Sequence, residues 1–200
     1  MRNAFEVVAD VVNSNPNIDS LSLVSYEENS TWRDKAGRGT DLPMLLKGLN
    51  QDRRPRVPIG VPRMDATAGN LRRIADGLGE NRLLGVCSIV RLVGGQSRHI
   101  PMMDFMCAPS SANLGLLGHL LGDLRQGKGC LLDSGRSYHY YGFYLLSRAE
   151  WQIFMGRCLL MSGFADDRYI GHQLVDGHCV LRLSAGKLKN CVPTVVGELS

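Results

Sequence analysis

The spacing of apolar residues changes along the chain, and each change predicts an element. Over Met1 to Val12, Phe5, Val8, Ala9 and Val12 recur at helical spacing, and Asn13 to Asn17 with Pro16 predicts the helix end. Between Ile18 and Tyr26, Leu21 and Leu23 alternate with Ser20 and Ser22, the period of a strand. Leu42 to Leu49 predicts a short helix, and Ala66 to Leu78 an amphipathic one with Leu71, Ile74, Ala75 and Leu78 on a shared face. Leu83 to Val93 and Ser97 to Cys107 are strand-length runs joined through Gly94-Gly95, a hairpin pattern. Leu114, Leu117, Leu120, Leu121 and Leu124 mark a helix within Asn113 to Gln126. Strands are expected at Gly129 to Leu132 and Tyr138 to Leu146. Ser147 and Glu150 have the spacing of a capping box for a helix carrying Trp151, Phe154, Met155 and Cys158. Tyr169 to Leu174 and His178 to Leu183 read as a hairpin through Asp176-Gly177, and Cys191 to Val196 as a last strand. The order implies an α/β (α+β) fold, with a central mixed or antiparallel sheet flanked by helices.

Composition narrows this picture. With 200 residues and 44% hydrophobic side chains the chain can bury a core. We expect one globular unit, in which an N-terminal α/β portion (1–82) packs on a core (83–200). Six cysteines without a Cys-x-x-Cys pair read as reduced thiols. No apolar run reaches the roughly 18 residues that span a bilayer, so a cytoplasmic protein without a membrane partner is expected. A net charge of +4 favours anionic partners only mildly, so the placement of the charges matters more than their sum.

That placement is uneven. Arg53, Arg54, Arg56 and Arg63 lie among Pro55, Pro58 and Pro62, in a stretch that cannot be helical and would display its arginines along an extended surface, against nucleic acid or simply against solvent. Glu27 to Thr40, with Arg33, Lys35 and Arg38, reads as a solvated loop. Asp104 interrupts an apolar strand, where a carboxylate needs a partner, a hydrogen bond or a metal. A structural pairing with Arg98 or Arg182 is the plain alternative. Asp133 to Tyr144 is a polar cluster between apolar runs: Ser134 and Gly135 predict a turn, and Arg136, Ser137 and His139 offer a cation, a hydroxyl and an imidazole. Alone, His139 would be a hydrogen-bonded core histidine. Together, these groups suit phosphate.

The order of these features resembles the archaeo-eukaryotic primase-polymerase superfamily over roughly Leu83 to Val196. Met103-Asp104-Phe105 looks like that family's acidic strand motif, Ser134-Gly135-Arg136-Ser137-Tyr138-His139 is similar to its nucleotide-binding segment, and Val180-Leu181-Arg182-Leu183-Ser184 resembles its basic strand. The resemblance implies a primase-polymerase-like nucleotidyltransferase, or a reduced descendant. Asp104 and Asp167 would hold Mg²⁺ or Mn²⁺. Ser134, Arg136, Ser137, His139, Arg182 and Lys187 would contact a nucleoside triphosphate, and Asp104, His139 and Asp167 would form the catalytic set. DNA or RNA, and a larger replication or defence assembly, are the implied partners, with Arg53, Arg54, Arg56 and Arg63 on the nucleic acid. One departure bears on activity: Met106 stands where the family's second carboxylate is expected. The third acid is open among Asp166, Asp167 and Asp176. A catalytically inactive nucleotide- or nucleic-acid-binding module is the alternative.

Overall fold

The computed structural model describes residues 1–28, 56–79, 81–124, 127–161 and 163–200. Asn3 starts the first helix, α1 (Ala4–Ser14), with a capping box: its side chain accepts from Phe5 and Glu6 N–H, and the Glu6 carboxylate accepts from Asn3 N–H. Strand β1 (Ile18–Glu27) follows. The proline-rich β2 (Val57–Pro62) lies antiparallel to β1, Ser20 opposite Pro62 and Ser25 opposite Val57. It is an edge strand, where residues lacking an N–H are tolerated. Helix α2 (Ala68–Asp76), capped by Thr67, leads to β3 (Arg82–Leu92). The Gly94-Gly95 hairpin forms as expected and returns in β4 (Ser97–His99).

The expected strand Ser97 to Cys107 is broken at Ile100-Pro101. Only β4 stays with the first sheet, and β5 (Met102–Asp104) starts a second. After α3 (Ser111–Asp123) come β6 (Gly129–Asp133) and β7 (Tyr138–Gly142), shorter than the run to Leu146 had implied. Helix α4 (Arg148–Leu159) carries the expected capping box, with Ser147 Oγ accepting from Glu150 N–H and the Glu150 carboxylate accepting from Ser147 N–H.

A second correction concerns the following segment. Residues 167–176 form a helix, α5 (Asp167–Asp176), and no hairpin. Asp166 caps it, accepting from the N–H groups of Arg168 and Tyr169. Gly177 ends it with φ +75, the left-handed conformation common just past a helix end. The Asp-Gly pair is therefore a helix terminus. Only β8 (Val180–Arg182) and β9 (Thr194–Leu199) follow as strands among the described residues.

The fold is mixed α+β with antiparallel sheets flanked by helices. One sheet has the order β2-β1-β3-β4, with β8 on β3 beside β4; the other has the order β5-β7-β6-β9. Every pairing is antiparallel. Helix α1 packs on α2, α4 on α5 and on β4, and α3 on β9. The sheets abut where β5 touches β8, and an isolated bridge ties His99 of β4 to Leu146, in the connection after β7. A single apolar cluster runs through both layers, from Val8 and Leu23 to Tyr140 and Trp151. All six cysteines are free thiols.

Candidate nucleotide site

The seam between the sheets is where the polar residues gather. Asp133 pairs with Tyr138 across β6 and β7, which leaves Ser134 to Ser137 as the hairpin loop. Asp133 Oδ1 accepts from Gly135 N–H at 2.7 Å, and Gly135 has φ +98, which a side chain would resist. Ser134 N–H and Oγ both donate to Ser137 O, at 2.9 and 3.0 Å. The loop is thus tied to itself before any ligand arrives.

From it Ser137 reaches β5. Asp104 lies directly opposite His139 in the β5–β7 register, and Ser137 Oγ donates to Asp104 Oδ1 at 3.1 Å. Ser134 Oγ also lies 3.1 Å from Ser137 Oγ, with its own proton donated to Ser137 O and that of Ser137 to the carboxylate. His139 Nε2 stands 3.9 Å from the same Oδ1. The two sides differ in solvation: the Asp104 side chain is 34% exposed and that of His139 6%. His139 Nδ1 is buried with no hydrogen-bond partner. Burial holds the imidazole pKa down at about 3, and Arg182 and Lys189 push it the same way, so the ring is neutral at physiological pH.

Arg182, on β8 opposite Gly85, is buried. Its Nη2 donates to Ser134 O at 2.8 Å, and its Nη1 to Ser184 O at 2.6 Å and to Cys191 O. The guanidinium binds main-chain carbonyls of the hairpin loop and of the segment after β8. Tyr26 and Tyr141 line the same seam. Burial pushes the Tyr26 hydroxyl up to about 12, against Arg182 and Arg56, while Asp104 and Glu28 add to the rise. Burial also raises Tyr141, whose hydroxyl is buried without a hydrogen-bond partner.

The other expected site residues are more dispersed. Arg136 is exposed at the loop tip and Lys187 is exposed after β8. Asp167 begins α5 and accepts from Arg168 N–H at 2.8 Å. The end of β5 runs beside the approach to that helix, since Met106 N–H donates to Phe164 O and Phe105 bridges Ala165. Arg56 pairs with Asp176 at 3.5 Å, and Arg63 Nη2 donates to Val12 O at 3.4 Å. Arg53, Arg54 and the expected helix Leu42 to Leu49 lie outside the described residues.

Comparison with known proteins follows the same residues. A family model described as archaeo-eukaryotic primase 1D-like (AEP-like) matches residues 63–193. The chain belongs to this family. No curated protein and no solved structure matches it. AEP-like membership places the chain in a primase-like nucleotidyltransferase superfamily whose members generally use divalent metals. In this AEP-like chain no group of three His, Cys, Asp or Glu side chains is gathered for a metal among the described residues. The Asp104 carboxylate is partly exposed and accepts the Ser137 hydroxyl. Such a group fits one hard cation that also takes water and substrate phosphate oxygens, and not a pair of ions. No described helix is long and apolar enough to cross a membrane.

Sequence reasoning missed Tyr26, Glu28, Tyr141 and Lys189 as neighbours of the site. Tyr26 and Glu28 reach it because β1 pairs with β3 and β3 with β8. No local motif encodes that pairing. Lys189 had a signal in its two-residue distance from Lys187.

Proposed function

We propose that this AEP-like chain binds a nucleoside triphosphate with its phosphates against Ser134 to His139, as a primase-polymerase-like nucleotidyltransferase. The observation that supports this is the register of β5 and β7, which sets Asp104, Ser137 and His139 side by side at the sheet seam. Asp104 would hold Mg²⁺ or Mn²⁺, which would offset the charge of the phosphate oxygens. Asp167, at the helix start beside the end of β5, is the second acid of this reading. Ser137 orients the carboxylate, and the neutral His139 ring offers hydrogen-bonding nitrogens from a dry wall. Positioning and charge neutralisation are what phosphoryl transfer chiefly requires of a protein. Arg136 and Lys187, both exposed, supply positive charge from the loop tips. Arg182 acts from behind, by fixing the Ser134 carbonyl. Template or product DNA or RNA would follow the arginines from Arg53 to Arg63, in a cytoplasmic replication or defence assembly.

Met106 favours a second reading, an inactive module that keeps the phosphate pocket for recognition. A thioether is a poor ligand for a hard cation. Two measurements separate the readings. Nucleoside triphosphate with Mn²⁺ should raise the melting temperature of the wild type and not of Asp104→Ala or His139→Ala; no shift with any nucleotide overturns both. Template-dependent incorporation of labelled nucleotide that vanishes in Asp104→Ala supports the enzyme. Binding without product supports the module.

A further inference from the structure

Glu28 sits just past the end of β1, with its main-chain N–H bonded to Asn81 O at 2.7 Å. Its side chain reaches the loop that follows β8. There Glu28 Oε1 accepts from two successive main-chain donors, Leu188 N–H at 2.9 Å and Lys189 N–H at 2.7 Å. Gly186 N–H donates to Lys189 O at 2.7 Å and so curls the loop around the carboxylate. The approach is close: a Cβ on Gly186 would lie 2.5 Å from Glu28 Oε2. Glu28 Oε2 itself is buried with no hydrogen-bond partner.

Successive N–H groups converging on an oxygen make an anion-binding concavity. Lys187 and Lys189 lie within it by sequence, which adds positive charge to the donors. A carboxylate is an imperfect occupant, because one of its oxygens is desolvated without compensation. A phosphoryl group has the same charge sign, a larger charge and three acceptor oxygens. The concavity also borders the candidate site, since the Arg182 guanidinium ties the carbonyls of Ser184 and Cys191, on either side of it in the chain, to that of Ser134.

We propose that the 186–189 loop is a phosphate-binding site held closed by Glu28, and that a phosphate group of the ligand displaces this carboxylate. The identity of that ligand as a nucleoside triphosphate rests on the function proposed above; the anion site does not. Glu28 then sets a threshold for binding. Its removal should strengthen binding of anions, the opposite of what loss of a merely structural contact would do.

Calorimetry with inorganic pyrophosphate, without metal, tests the site directly. Glu28→Gln and Glu28→Ala should each bind it at least tenfold more tightly than the wild type. Glu28→Gln keeps an oxygen that can accept from Leu188 and Lys189 and so guards against misfolding in the alanine variant. In labelled protein, pyrophosphate should shift the amide resonances of Leu188 and Lys189 in Glu28→Gln at concentrations that leave the wild type unchanged. Unchanged or weaker binding by folded Glu28→Gln, or shifts confined to other residues, overturns the proposal and leaves Glu28 a structural latch. Titration with ATP and Mn²⁺ separates this from the nucleotide reading. If His139→Ala abolishes ATP binding and Glu28→Gln strengthens it, both hold. If Glu28→Gln gains affinity for pyrophosphate while ATP binds neither protein, the anion site stands and the nucleotide reading falls.

Discussion

At the residue scale Arg182 carries the sharpest consequence. Its donors meet the carbonyls of Ser134, Ser184 and Cys191, so the side chain is a strut between the hairpin loop and the segment after β8. Replacement by Met would leave three carbonyls short of a donor, at a cost of roughly 3 kcal/mol or more. A lower urea midpoint for Arg182→Met is the expected result, and Arg182→Lys should recover only part of it, since an ammonium lacks the planar fork. Full recovery by Lys would show that charge, not geometry, is what matters there. Ser137→Ala tests the other tie. Without the hydroxyl donated to Asp104, nucleotide affinity should fall about tenfold, the equivalent of one charge-assisted hydrogen bond, while stability changes by about 1 kcal/mol. Calorimetry on the folded variant reads the affinity. That Asp104, Ser137 and His139 are polar groups set on or beside neighbouring strands was legible in the sequence, because side-chain type and strand alternation are local properties. What Arg182 touches was not, since its acceptors are main-chain oxygens from Ser134 to Cys191, and every residue carries such an oxygen.

Elements were read well where a local signal was unambiguous and badly where two structures share one signal. Ser147 and Glu150 announced α4 because capping needs only their spacing. Asp176-Gly177 misled because Gly with a positive φ serves a hairpin turn and a helix end equally. Within α5 the fully buried residues are Ile170 and Gln173, three apart, a stripe too short to outweigh the turn signal. Its start can be tested: Asp166→Ala should cost about 0.5–2 kcal/mol of stability by chemical denaturation, because Tyr169 N–H loses its cap while Arg168 N–H keeps only Asp167. Packing of α4 against β4 gives a pH dependence. His99 stacks on Trp151 with centroids 4.7 Å apart, and its Nδ1 lies 3.2 Å from Ser88 Oγ. Burial lowers the His99 pKa from 6.5 to about 4, with His178 and Arg148 acting in the same direction. The unfolded chain therefore takes up this proton first as pH falls. Stability present above 6.5 should decline progressively towards about 4. Melting curves over that range should slope less steeply in His99→Phe, which keeps the ring on Trp151; an unchanged slope would assign the acid sensitivity elsewhere.

For the whole molecule the decisive fact is that the N-terminal segment serves both sheets. Strand β1 lies between β2 and β3 in the first. Beside β9 of the second, Ala4 N–H donates to Pro193 O and Val195 N–H to Arg2 O. A fragment of residues 63–200, starting where the family match starts, would lose α1, β1 and β2. It would expose one edge of β3, whose Leu83 to Ser88 are all buried in the intact chain. Val7, Val8, Val11, Ile18, Leu21 and Leu23 would disappear from the core. At about 1.5–3 kcal/mol for each fully buried aliphatic side chain, that loss matches or exceeds the roughly 5–15 kcal/mol by which a domain is stable. An unpaired apolar strand edge would then favour aggregation. The fragment should fail to give a dispersed amide spectrum, whereas co-expression with residues 1–62 should restore one, because the strand and helix it needs would again be present. A well-dispersed spectrum from residues 63–200 alone would mean that the second sheet and its helices form a self-sufficient core, and that β1 belongs to an appended layer rather than to the site's foundation.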